Sequence, residues 1–331
     1  MPASSLPVSS VPKGRIAAID VARGVALVAM AIYHFTWDLE FFGYADPGLT
    51  AIGGWKIFAR CIASSFLFLV GFSLFLAHGN GIRWNSFLKR LAMVAGAAVL
   101  ITGVTYFATP QSFIFFGILH QIALASILGL LFLRLPAAAL LLLAAAIIAI
   151  PYYFRAEIFQ HPALWWVGLA PYNPRSNDYV PLFPWFGAVI SGIAAAKFAS
   201  AAGLLDRLQR IEFPRPTRFL DFIGRHSLAF YLIHQPVMIA LIWLFSQIVP
   251  PAPVSAEAQF LRACQRACET SRGPDFCPVY CTCMLDELAE SGLIETMFTS
   301  GQTEDQGRQV QSFAASCTIA TQEQLSEGMP Q

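Results

Sequence analysis

The stretch LPAAALLLLAAAIIAI, residues 135–150, has no polar face at any helical or strand period. A helix that is apolar all round belongs in a deep core or in a membrane, and water cannot solvate one. Segments of the same character recur along the chain. It is 56% hydrophobic and 12% charged, against about 45–50% apolar and about 25% charged in soluble domains. The mean hydropathy is +0.58. A bilayer core is crossed by about 20 apolar residues of helix. Seven segments qualify, at roughly 16–37, 53–77, 89–108, 113–133, 136–154, 181–201 and 226–249. The expected fold class is therefore all-α: a polytopic helical membrane protein with about seven transmembrane helices. No internal repeat is evident. The net charge of +1 says nothing in favour of nucleic acid, since the basic residues sit in short clusters rather than on one face, and no nucleic-acid partner is expected. Residues 1–14, rich in Ser and Pro, read as a disordered cytoplasmic N-terminus without a cleavable signal peptide.

Loop charge sets the direction of insertion, because cytoplasmic loops carry an excess of Lys and Arg. Lys13 and Arg15 precede the first segment, and Arg83, Lys89 and Arg90 lie between or at the edge of the second and third. Arg134 follows the fourth, and Lys197, Arg207, Arg210, Arg215, Arg218 and Arg225 surround the loop after the sixth. Loop 38–52 instead holds Asp38, Glu40 and Asp46 and no base. Loop 155–180 carries Trp165, Trp166, Tyr172 and Tyr179, which suits an interfacial aromatic belt. The bases all fall on one side, which places the N-terminus in the cytoplasm and, after seven crossings, the C-terminus outside.

The cysteines give a separate reading of the same question. Cys61 stands alone inside the second segment, as a small apolar packing residue. Cys264, Cys268, Cys277, Cys281, Cys283 and Cys317 all follow the last one. An even number in a short polar tail fits disulfides, which persist on an oxidising side of a membrane. The pairs Cys264/Cys268 and Cys277/Cys281 are each four residues apart, so each puts two thiols on one helix face. That predicts a stapled helical hairpin in a small C-terminal tail, with a zinc site as the rival reading. The expected organisation is a membrane domain over 15–250 and a periplasmic tail over 251–331.

Titratable groups within lipid are costly and usually face a cavity or one another. In the first segment Asp20 and Arg23 share a helix face and are spaced to pair. His34 follows Arg23 by eleven residues, about three turns and about 16 Å along the axis, and so shares that face. Asp38 lies four residues further on, where a carboxylate could hold one imidazole nitrogen and leave the other free as a base. The blander alternative is an arginine that snorkels and a histidine at the interface. His120 and Gln121 in FGILHQIA, and Tyr231, His234 and Gln235 in YLIHQPV, are further candidates for lining a polar cavity. Each alone is more often a hydrogen-bonded packing residue. No spacing suits a metal, and no Gly-rich nucleotide loop is present. His161 and His226 read as solvent-facing.

These segments together resemble a known family. RIAAIDVARGVALVAMAIYH (15–34) is similar to the opening helix of bacterial membrane acyltransferases related to the heparan-alpha-glucosaminide N-acetyltransferase catalytic domain. The wider transmembrane acyltransferase superfamily shares the Arg-to-His spacing seen at Arg23 and His34. FGILHQIALASIL, PLFPWFGAVISGIAAAK and FIGRHSLAFYLIHQPVMIALIW follow in the family's order, so the resemblance covers roughly residues 15–245. It implies acetyl transfer across a bacterial inner membrane, from cytoplasmic acetyl-CoA to a glycan or small-molecule acceptor on the periplasmic side. By carry-over His34 is the base or transient acyl carrier, and Arg23 supports the motif or the phosphate-rich donor. The animal lysosomal enzyme has more spans, and loop 38–52 here contains no histidine, so the expectation centres on His34. The lipid bilayer and a second copy of the chain complete the expected partners. Two other readings compete: a proton-coupled transporter or channel using the intramembrane His/Asp/Arg set, and a membrane-anchored scaffold acting through its tail.

Overall fold

The computed structural model describes residues 15–46, 49–51, 53–251, 255–269, 272, 276–295 and 303–327. The expected N-terminal segment 1–14 lies outside the described residues. Among the described residues twelve α-helices form in chain order: α1 Ala17–Phe41, α2 Gly53–His78, α3 Trp84–Ala108, α4 Ile118–Phe132, α5 Ala137–Tyr153 and α6 Leu182–Ala201. Then follow α7 Leu204–Gln209, α8 Arg218–Arg225, α9 Ser227–Ile248, α10 Ala256–Glu269, α11 Phe276–Glu290 and α12 Glu304–Glu327. Among the described residues there is no strand.

Each of the seven expected apolar segments is a helix. Five of them, α1, α2, α3, α6 and α9, are long and apolar enough to cross a membrane, and α4 and α5 are shorter apolar helices of 15 and 17 residues. Their environment is a lipid bilayer. α3 begins at Trp84, earlier than the apolar run, because its first turns carry Asn85, Lys89 and Arg90 and so lack an apolar signature. α4 begins at Ile118, later than expected, because residues 109–117 form turns that end at the extended Gly117. The basic stretch after α6, expected as loop, contains α7 and α8.

The chain divides into two units, residues 1–35 with 53–239 and residues 36–52 with 240–331. Helix α6 is the axis of the first unit and packs against α2, α4 and α5. Its Val189, Ile190, Ile193, Ala194 and Ala196 are fully buried. The approach to α2 is close because both helices present glycine there. A Cβ on Gly71 would overlap the Val189 carbonyl, and one on Gly192 would overlap that of Phe68. Without a hydrophobic drive between helices in lipid, such backbone-to-backbone packing is a main source of association. The same device joins α1 to α8, where a Cβ on Gly24 would strike the Leu220 carbonyl and one on Gly224 the Asp20 carbonyl. Leu27, Met30, Ile62 and Ile223 fill the space beside that crossing. Lys197, near the end of α6, donates to the carbonyls of Leu133 and Leu135, both at 2.7 Å, and so satisfies acceptors that α4 leaves open.

The second unit contains the cysteine-bearing helices. The disulfides are Cys264–Cys281, Cys268–Cys277 and Cys283–Cys317. The first two join α10 to α11 in the hairpin expected from the four-residue spacings, and the third ties α11 to α12. All six thiols are consumed, so the zinc reading fails. Phe260, Met284, Leu288, Leu293, Ile294 and Cys317 make a small core. Loop 38–52 joins this unit through Arg262, which bonds Asp46 at 2.6 Å, and through the Tyr44 hydroxyl, which donates to the Val249 carbonyl. Cys61, by contrast, is a free thiol exposed on α2, not packed in the interior.

Candidate active site

The first turns of α1 build a charged cluster in the first unit. Asp20 is buried and accepts from two arginines: Arg23 Nη1 at 2.9 Å and Arg15 Nε at 2.5 Å. The pairing of Asp20 with Arg23 follows from their three-residue step on one helix. Arg15 was expected only as a topological charge. The Asp20 carboxylate beside it pushes its guanidinium pKa further up. Arg23 also donates through Nη2 to Ser73 Oγ on α2 at 2.5 Å, and that hydroxyl in turn donates to the Leu69 carbonyl at 2.6 Å. The guanidinium is thus fixed from two helices, and only a fifth of its side chain remains exposed.

That fixed group forms part of the wall of a cavity of about 360 Å³. Its basic lining comes from Arg15, Arg23, Arg90, Arg225 and His226, and its apolar lining includes Leu27 and Leu119. The size lies within the range of small-molecule sites, about 300–1,000 Å³. Among the described residues Arg90 has no ion-pair partner, and Arg225 pairs with Asp221 at 2.8 Å. By sequence, Arg90 and Arg225 belong to a cytoplasmic arginine cluster that topology also explains and that could dock CoA phosphates, and His226 reads as solvent-facing. The structure brings all three to one wall. The only available signal was that α8 ends beside the Gly224 crossing, which a linear reading does not reveal.

Further along α1, His34 faces His234 of α9, with ring centroids 5.2 Å apart. His234 is buried, and its Nδ1 lies 2.7 Å from the Tyr231 carbonyl and 3.2 Å from that of Phe230. Tyr231 stands between the regions: it lines the basic cavity, and its ring is 5.7 Å from that of His234. Gln235 is half-buried next to His234 in the chain. Asp38 is fully buried and belongs to the second unit.

His120 and Gln121 lie elsewhere. His120 accepts from its own helix's Gly117 amide through Nδ1 at 3.2 Å, and its Nε2 is 3.1 Å from Thr102 Oγ1. Because Thr102 spends its hydroxyl hydrogen on the Ile114 carbonyl, His120 Nε2 is the donor in that contact. Both ring nitrogens are used, and the residue closes the start of α4. Gln121 is fully buried and shares its helix face with Ala125 and Gly129, the face turned to the core and not to the basic cavity. A residue the sequence did not single out, Asp178, caps α4 from the 155–180 loop by accepting from the Ile118 amide at 2.8 Å. Burial pushes its carboxyl up to about 6 against the opposing pull of that amide. Among the described residues no group of three or more His, Cys, Asp or Glu is placed to hold a metal.

No curated protein and no solved structure matches the chain. The family model described as heparan-alpha-glucosaminide N-acetyltransferase, catalytic, does match, over residues 15–236 of the 331. The matched stretch begins at the arginine beneath α1, includes the basic cavity and both facing histidines, and ends at the proline inside α9. The chain therefore belongs to the heparan-alpha-glucosaminide N-acetyltransferase catalytic family, a family of membrane acetyltransferase type.

Proposed function

We propose that the protein transfers an acetyl group from cytoplasmic acetyl-CoA to a glycan or other acceptor on the periplasmic side of a bacterial inner membrane. The observation that carries this reading is the placement of two chemistries on one helix. Arg23 is anchored in the wall of a basic cavity, and His34 lies about three turns along α1, opposite a second histidine. A phosphate-rich thioester needs cations at one end, and its carbonyl needs a nucleophile or base at the other. Arg15, Arg23, Arg90 and Arg225 are suited to the phosphates, since a guanidinium presents paired donors to oxyanions. Asp20 holds Arg15 and Arg23 in place. His34 is the base or acyl carrier, and Asp38, one turn beyond it in the sequence of α1, is assigned to fixing the imidazole.

Two features support this direction of transfer: the loop charges, which favour a cytoplasmic N-terminus, and the disulfides, which suit a periplasmic tail. A reporter fused after the last residue should be active only in the periplasm; a cytoplasmic result removes the proposed topology.

The decisive experiment incubates membranes containing the protein with radiolabelled acetyl-CoA and follows label into protein, glycan and free acetate. The wild-type chain should release CoA, and His34→Ala should lose at least about 100-fold in rate, the usual contribution of one positioned acid–base group. Acetyl-CoA turnover that is indifferent to His34 removes the assignment, and no binding or turnover at all removes the reaction.

A further inference from the structure

We infer that His234 accepts the proton of the acceptor hydroxyl or amine as that group attacks an acetyl group carried on His34. The inference rests on the acetyltransferase reading above and deepens it, by separating the roles of base and acyl carrier.

The argument starts from what each intramembrane histidine has left to offer. His120 uses Nδ1 to accept from Gly117 and Nε2 to donate to Thr102, so neither nitrogen is free. His234 differs. Its Nδ1 faces two backbone carbonyls, of Tyr231 and Phe230, and a carbonyl can only accept. Nδ1 must therefore carry the hydrogen, and neutral His234 is locked in the tautomer whose Nε2 holds a lone pair. That Nε2 is buried and has no hydrogen-bond partner among the described residues. The residue as a whole is 8% exposed.

The packing interpretation of His234 accounts for Nδ1 and not for Nε2. A buried polar atom without a partner is destabilising, and a phenylalanine or leucine would fill the same space at no such cost. The ring opposite is His34 at 5.2 Å between centroids. Two imidazoles at that separation leave their edges close enough for one donor group of a substrate to meet both. The arrangement points to a ligand with an O–H or N–H, directed at a fixed lone pair.

The steps then balance. A ring nitrogen of His34 attacks the thioester carbonyl, the C–S bond breaks and CoA leaves as the thiolate. The acceptor oxygen or nitrogen next attacks the acetyl carbon on His34, and its proton passes to His234 Nε2. The C–N bond to His34 breaks and returns its electron pair to the ring. The proton on His234 finally balances the thiolate, so the products are acetylated acceptor and CoA thiol.

The test uses the full-length protein with radiolabelled acetyl-CoA. His234→Asn keeps an N–H near the Tyr231 and Phe230 carbonyls and removes only the Nε2 lone pair. The variant should bind acetyl-CoA as the wild type does, release about one equivalent of CoA and retain the label on the protein, while steady-state turnover falls about 100- to 1,000-fold. His34→Ala should take no label. Unchanged turnover in His234→Asn overturns the inference, and so does a folded, CoA-binding variant that takes no label. A wild-type protein that neither takes label nor releases CoA sinks the acetyltransferase reading and this inference with it. Nitrogen-15 spectra of the wild-type histidines give a check independent of turnover: His234 should carry its hydrogen on Nδ1, and the opposite tautomer refutes the assignment.

Discussion

The two units of this chain solve the same problem, how to fix helices against one another, with different chemistry. In the first, helices meet where glycines let one backbone touch another, as at Gly71, Gly192, Gly24 and Gly224, and a few buried ions are held from several sides. In the second, three disulfides bind three helices around a core of only a handful of side chains. Lipid supplies no hydrophobic drive between helices, so the first unit relies on fit and on satisfied polar groups. The tail can bury too little apolar surface to stand on burial alone, so covalent links limit what its unfolded state can explore. The contrast teaches that a perturbation should find one unit and spare the other.

Reduction gives the largest separation. The disulfides close loops of 9, 17 and 34 residues, and each contributes about 2–4 kcal/mol. Treatment with a reductant, or joint replacement of the six tail cysteines by serine, should unfold α10–α12 while the membrane helices keep their helicity. Limited proteolysis in detergent should then remove the tail and leave the first unit intact. Protection of the tail in the reduced protein would show that its core suffices without the links.

A smaller effect, in the opposite unit, comes from Gly224→Leu. The new side chain must displace the Asp20 backbone, an overpacking cost of about 1–3 kcal/mol, and it shifts the helix that carries Arg23. Thermal melting in detergent should show a lowered midpoint for the membrane helices with tail protection unchanged. Gly96→Leu, in the exposed interior of α3 where an added Cβ meets nothing within 4 Å, is the matched control and should melt no lower than the wild type.

The smallest effect is a slope with pH. Asp178 holds its proton up to about 6 in the folded chain, whereas an unfolded carboxyl gives it up near about 4. Between those values the folded state binds more protons than the unfolded one. Stability from this group is therefore full below about pH 4 and is lost as the pH rises to about 6. The melting midpoint of the first unit should fall over that window, and Asp178→Asn should flatten the fall. An unaltered slope in the variant would assign it to other groups.

The seven apolar helices were legible because their composition is extreme over a length that leaves no other solution. The tail hairpin was legible because a four-residue cysteine step marks one helix face; the pairing of Cys283 with Cys317 was not, since no local spacing links α11 to α12. The candidate site was legible along α1 and, for Tyr231 and His234, on α9, though not which side chains would meet. Asp20, Arg23 and His34 share a helix, and helical period is a property of sequence. What faces them comes from other elements. The cytoplasmic arginine cluster was legible as a possible dock for CoA phosphates, but topology explains the same charges, so nothing in the chain set Arg90 and Arg225 apart from its other members as a cavity wall. Gln121 follows His120 by one residue and yet points to the core, because neighbouring residues on a helix diverge by about 100°. Asp178 reaches α4 from 60 residues away, and only the folded loop reveals it as a cap.

One consequence belongs to experiment more than to mechanism. Six of the seven cysteines are joined in pairs, and Cys61 alone remains as a thiol, exposed on α2. A spin label or fluorophore can therefore be attached to the unmodified chain at one defined place in its membrane region. Signals recorded from that label, before and after adding an acyl donor, would report on the exposed surface of α2 with every residue of the candidate site still in its native form.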